Sequence, residues 1–229
     1  MFDIFESTLI LVAHPDDEVL GVGGLISKLT RKGCSVHICV LADGESSKQE
    51  YCQESQTSSR QAMFHRSCDY LGVSNDARTL LSFPDQMLDT IPLLSMLRQV
   101  EERISIKDYT AILTHAYEDL NQDHRRCNEL VNILGRPTNK EYTPSIITFE
   151  TPSATEWSPY DIAFKPNLYV ELNRNDVERK FLGLSAYGSE LKEWPHTRSI
   201  EAIEAKMKSR GSEISVPYAE AFRINRIRL

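Results

Sequence analysis

A histidine, two aspartates and a glutamate stand together in Ala13-His14-Pro15-Asp16-Asp17-Glu18, directly after the apolar segment 8–12. About a hundred residues later a second apolar segment, 111–114, runs into His115-Ala116-Tyr117-Glu118-Asp119-Leu120-Asn121-Gln122-Asp123-His124. His14 and Asp17 are three apart, so a tight turn entering a helix can aim both at one point, with Asp16 projecting beside it. Two imidazoles and one carboxylate with an open fourth position form a catalytic zinc site, and either His115 or His124 can complete the set. Such a donor set also accepts ferrous iron or another divalent metal. A bound metal lowers the pKa of its water to about 7, and a free carboxylate such as Asp16 can take the proton.

Plainer readings compete. The His-Pro-Asp-Asp turn can act as a helix cap, with Asp16 or Asp17 accepting backbone N–H bonds. The run from Asp119 to Asp123 resembles the start of a calcium loop, but His124 stands where that loop needs glycine and Leu130 where it needs glutamate. Gly21-Val22-Gly23-Gly24 lacks the spacing of a dinucleotide fingerprint; close packing of helix on sheet accounts for these glycines.

Both polar runs need elements to hold them. Segments 8–12, 35–41, 79–83, 111–114 and 145–149 are short, apolar and bounded by turn residues, as strands buried on both faces are. Between them, helical spacing covers 18–31, 60–71, 91–106 (with Asp89 or Thr90 as cap) and 125–134. Alternating strands and helices imply right-handed βαβ crossovers. The expectation is an α/β chain: a Rossmann-like three-layer fold with a mostly parallel sheet and a C-terminal extension. Residues 1–150 form the core and 151–229 the extension, within one domain. The extension reads as a long loop, a strand over 168–172, a helix over 176–191, and a helix capped by Ser199 and ended by Gly211. The tail from 218 onward mixes apolar and arginine residues.

A net charge of -7 over 229 residues argues against nucleic acid as a partner, because phosphate binding needs a basic footprint. The first apolar segment is too short for a membrane span or a signal core. Five cysteines without a C-x-x-C pair fit a reducing compartment. The expectation is a cytoplasmic protein with no membrane partner.

The hexapeptide His14 to Glu18 with Ala13, followed by His115 and then Asp123-His124, resembles the LmbE-like (PIG-L) family of metal-dependent de-N-acetylases. Residues 119–125, 152–157, 195–199 and 218–222 resemble its bacterial amino-sugar branch. The resemblance implies a zinc hydrolase that removes acetyl from an N-acetylated sugar, a small-molecule substrate. It assigns the metal to His14, Asp17 and His124, the general base to Asp16, and an orienting role to Asp123. Arg60 and Asp85 match positions that hold sugar hydroxyls. Some members carry histidine, which stabilises the intermediate or protonates the amine, at the position of Asn121; here Asn121 is expected to meet the substrate, and that histidine's role is vacant or falls to His115 or His196. His196 and Arg198 reach the pocket of their own or a neighbouring subunit, and the family implies homo-oligomers, trimers or hexamers. Rival readings are an amidase on a thiol-sugar conjugate and a sugar-binding protein without turnover.

Overall fold

The computed structural model describes residues 3–44, 54–137, 142–158 and 163–228. Its first strand, β1 (Ser7–Val12), is the anchor. Leu9, Ile10, Leu11 and Val12 have no exposed surface. Leu9 and Leu11 enter the core on one face of the sheet, Ile10 and Val12 the core on the other. Burying such side chains stabilises by roughly 1.5–3 kcal/mol each, so the turn that follows starts from a fixed point.

The other strands are β2 (Ser35–Ala42), β3 (Arg78–Phe83), β4 (Ala111–His115), β5 (Ser145–Phe149), β6 (Leu168–Glu171) and β7 (Ala219–Arg226). They form one sheet in the order β3-β2-β1-β4-β5-β7-β6. The first five are parallel, while β7 runs antiparallel to both of its neighbours. Strand order reverses between β1 and β4, so the carboxyl ends of these two strands flank the crevice where open α/β sheets bind ligands. Both polar runs of the sequence lie at that crevice.

Helices α1 (Asp17–Arg31) and α2 (Glu54–Leu71) pack on one face. Helices α3 (Leu93–Arg103) and α4 (Gln122–Leu134) cover the other. Helices α5 (Arg174–Ser185) and α6 (Ile200–Ser212) return to the first face. The three-layer, mostly parallel α/β expectation is met. Residues after 150 supply two strands and two helices to the same sheet and core, so they are built in rather than appended. No described helix is long and apolar enough to cross a membrane.

Several boundaries differ from the sequence expectation. Helix α3 starts at Leu93 because Pro92 takes its N-cap, and neither Asp89 nor Thr90 caps it. Helix α5 starts earlier than expected, on a capping box between Asn173 and Asp176, and stops at Ser185. Ser199 caps α6 as expected, but Gly211 lies inside the helix rather than ending it. The polar stretch 45–59 reads from sequence as a loop followed by a helix start; residues 45–53 of it lie outside the described residues, and α2 begins at Glu54. Strand β7 was not expected, since its arginines and small residues blur the alternation that marks a strand.

Helix α1 is broken at Val22 (φ −135°, ψ 16°). In a regular helix the Gly24 N–H would bond the Leu20 carbonyl. Here Gly24 and Leu25 donate instead to the two oxygens of Glu220 at 2.8 and 2.7 Å. Buried Lys180 donates to the Leu20 carbonyl at 2.9 Å and to Glu220 at 2.7 Å. The Gly24 and Leu25 N–H groups and the Leu20 carbonyl thus all have partners. The glycines allow the approach: a β-carbon on Gly21 would lie 2.4 Å from the Phe149 ring, and one on Gly24 2.4 Å from Leu172.

Candidate metal centre

The turn after β1 does not behave as an ordinary cap. Asp16 is the N-cap of α1 but sits at φ 112°, ψ −27°, and its side chain makes no cap hydrogen bond. A non-glycine residue in that region costs on the order of 1–3 kcal/mol. The Asp16 carboxylate points the other way and accepts from Arg198 Nη1 at 3.1 Å, with Arg60 Nη1 at 3.6 Å. Burial pushes Asp16 up to about 6, against the pull of Arg198. Asp17 is no cap for the helix either: its Oδ2 accepts the His14 N–H at 2.9 Å.

Asp17 is the hub. Its Oδ2 lies 3.3 Å from His14 Nδ1, 3.3 Å from His124 Nε2 and 3.5 Å from His115 Nε2. Its Oδ1 is buried and has no hydrogen-bond partner. The far nitrogens of two of these imidazoles lie beside other carboxylates, and that of His14 is hydrogen-bonded while that of His124 is not. His14 Nε2 lies 2.9 Å from Asp85 and 3.1 Å from Asp123; His124 Nδ1 lies 3.1 Å from Asp119. At His14 this is the arrangement in which a carboxylate fixes the tautomer of a histidine and leaves its other nitrogen for an ion.

Three donor groups are close enough to hold an ion among the described residues: His14, Asp17 and His124; His115, Asp119 and His124; and His14, Asp85 and Asp123. The orphaned Asp17 Oδ1 belongs to the first alone. In the second, Asp119 already accepts the Asn121 N–H at 2.9 Å and the Thr155 hydroxyl at 2.8 Å. In the third, Asp123 accepts the Leu88 N–H at 3.0 Å while its other oxygen meets His14. Five buried aspartates (16, 17, 85, 119 and 123) surround these imidazoles, a density of negative charge that a divalent cation would offset. The residues fit a metal held by His14, Asp17 and His124.

Electrostatics separate the histidines. Burial opposes a charge on His14, yet Asp123, Asp17 and Asp85 hold its pKa well above the usual imidazole value. Burial likewise opposes a charge on His124, but Asp17 and Asp119 raise it to about 9. His115, stacked on His124 with ring centroids 3.8 Å apart, is driven down to about 3 by burial and by that neighbour. Both its nitrogens are engaged: Nε2 accepts the Ala13 N–H at 3.1 Å, and Nδ1 meets Thr151 at 3.0 Å. Through the Ala13 N–H, His115 ties the exit of β1 to β4.

The remaining candidates divide. Asp123 reaches His14, as an orienting residue should. Asp85 also turns to His14. Arg60 stays at the site through Pro15 and Glu190, at 3.2 Å from each. Arg198 reaches the site of its own subunit and is held there by Ser153 at 2.6 Å. His196 lies behind it, accepting the Arg198 N–H at 3.0 Å and packing edge-on against the half-exposed Trp157. Asn121 caps α4, its side-chain oxygen accepting the Asp123 N–H at 2.8 Å. Cys127 is a buried thiol packed on the inner face of α4, with its pKa pushed up by burial.

Sequence reading missed two contributors. Asp119 stands between a strand exit and the helix bearing His124, and that place is the signal for it beyond the calcium-like run and the family-like segment 119–125. Tyr187, on the turn after α5, carried no signal.

Comparison with known proteins bears on the same stretch. Residues 9–134, more than half of the chain, match the model of PIG-L, GlcNAc-PI de-N-acetylase. The chain belongs to the PIG-L family. The matched part runs from β1 to the end of α4 and holds the whole donor set, while Tyr187, Arg198 and Glu220 lie beyond it. Solved structures resemble the chain over nearly its full length. N,N'-diacetylchitobiose deacetylase from Pyrococcus horikoshii is 21% identical, with 97% of this chain and 85% of that one covered and a TM-score of 0.73. The A40926 pseudoaglycone deacetylase Dbv21 is 16% identical, with 98% and 99% covered and a TM-score of 0.77. The 4-carboxy-2-hydroxymuconate hydratase from Pseudomonas putida KT2440 is 17% identical, with 97% and 98% covered and a TM-score of 0.64. At these identities the likeness is one of fold.

Proposed function

We propose that the protein is a metal-dependent hydrolase that removes acetyl from the nitrogen of an amino sugar or its conjugate. One observation carries this reading. Asp17 sets its Oδ2 3.3 Å from both His14 and His124 while its buried Oδ1 has no partner, and beside it Asp16 is a carboxylate spared from helix capping. Zinc or ferrous iron suits the three donors and, when bound, supplies Lewis acidity and an acidified water. Family membership and the two deacetylases of like fold support the acetamide as substrate.

The chain's own residues then divide the work. Asp16 accepts a proton from the attacking water and returns it to the departing amine, with Arg198 and Arg60 steadying the carboxylate. Asp123 and Asp85 hold His14, and Asp119 holds His124. Arg198, with His196 and Trp157 beside it, forms the wall nearest Asp16 and meets the sugar. His115 keeps the ends of β1 and β4 in register beneath the site.

The test is acetate release from N-acetylglucosamine, its oligomers and nucleotide-linked forms, with and without chelator. Metal-loaded protein should release acetate from at least one, and chelator should abolish it. Absence of release from all of them would overturn the reading. Because a hydratase shares the fold, addition of water to an unsaturated carboxylate is the control activity.

A further inference from the structure

The strained backbone of Asp16 raises the question of what holds it. Glu18, two residues on, is fully buried and belongs to none of the donor groups that could hold an ion. Its Oε2 accepts the Asp16 N–H at 3.0 Å. Its Oε1 accepts the Tyr187 hydroxyl at 2.8 Å and the Ser67 hydroxyl at 3.2 Å. On its other side the Asp16 carbonyl accepts from Val19 at 3.1 Å and Leu20 at 2.9 Å. The Asp16 peptide is therefore gripped from both ends, and the grip on its N–H is anchored in α2 and in the turn after α5.

We propose that Glu18 is the positioning residue of the base: it fixes Asp16 in its left-handed conformation, so that the carboxylate faces Arg198 and the metal rather than the helix end. This rests on the hydrolase reading with Asp16 as base. Tyr187 and Ser67 share the task, since each restrains the Glu18 carboxylate from a different element, the turn after α5 and helix α2. A carboxylate freed from this grip turns to the open N–H groups of α1, which is what a capping aspartate does elsewhere. Glu18 differs from a residue that merely fills space, because its effect must appear in turnover while metal and substrate binding stay intact.

The experiment compares Glu18→Ala, Glu18→Gln and Tyr187→Phe in the metal-loaded full chain, on whichever acetylated sugar the wild type deacetylates. Glu18→Ala should lower kcat by roughly 10- to 100-fold, the scale of a small misplacement, with KM and bound metal unchanged. Glu18→Gln, whose amide oxygen still accepts the Asp16 N–H, should recover most of it, and Tyr187→Phe should fall between. A crystal structure of the Ala variant should show Asp16 out of the positive-φ region. Unchanged kcat in Glu18→Ala, a loss that follows metal content, or no rescue by glutamine would overturn the proposal. Should Glu18→Ala fail to fold, unchanged kcat in both Tyr187→Phe and Ser67→Ala would overturn it. The crystallographic comparison needs no turnover, so it judges the positioning of Asp16 even if no sugar is deacetylated.

Discussion

Two helices start at the same crevice and start differently. Helix α4 opens on Asn121 in an extended conformation, with its side chain bonded to the Asp123 N–H. Helix α1 opens on Asp16 with a left-handed backbone and no side-chain bond to the helix. The first arrangement stabilises a helix and occupies the cap residue. The second forgoes that stabilisation and leaves a buried carboxylate beside the donor set. The contrast separates support from proposed chemistry: the α4 turn sets Asp119 beside His124, and the α1 turn presents the carboxylate proposed to handle the proton.

Substitutions at the two turns should therefore have unequal effects. Asp16→Ala has the largest, a fall in kcat of roughly 10²–10⁴-fold, the range for a lost general base, with metal content unchanged in elemental analysis. Equal loss of metal would make Asp16 a ligand and erase the distinction. Metal removal comes next. At a metal concentration 100 times Kd the bound ion stabilises by about 2.7 kcal/mol, so chelation should lower Tm by roughly 5–10 °C at 2–4 °C per kcal/mol. Readdition should restore it, and Asp17→Asn should show no response. Asp119→Asn should weaken metal binding about 10- to 100-fold, as loss of a carboxylate behind a metal-binding histidine does, which titration with a chromophoric chelator would measure. Asn121→Ala is the smallest: about 1 kcal/mol of stability for a lost cap, read by thermal melting, with kcat nearly unchanged. A large loss of kcat there would bring Asn121 to the substrate and dissolve the comparison.

Much of this site was legible because its donors occur in short runs at strand exits. His14, Asp16 and Asp17 lie within four residues, and the parallel sheet brings His124 to them on the helix that follows the neighbouring strand. The parallel strands were legible as apolar runs, since burial on both faces leaves no polar alternation to misread. What escaped reading depends on long-range contact. Tyr187 touches Glu18 across 169 positions, and Glu220 meets Gly24 across 196; neither has a local pattern that names its partner. His115 and His124 show the limit most plainly. They are the same residue type in the same run, yet burial and the stacked neighbour drive the His115 pKa down to about 3 while Asp17 and Asp119 raise that of His124 to about 9.

Strand β7 lies between β5 and β6, which has a consequence for how the chain acquires its site during synthesis. The ribosome delivers His14, Asp17 and His124 early, while the strand that carries Glu220 comes more than ninety residues after the last of them. Until it slots into the sheet, the released groups of α1 lack their carboxylate, and β6 has no neighbour to pair with. A nascent chain stalled before residue 219 should thus hold the donors without the geometry, and ligand-dependent protease resistance should emerge only when that last strand is out of the tunnel.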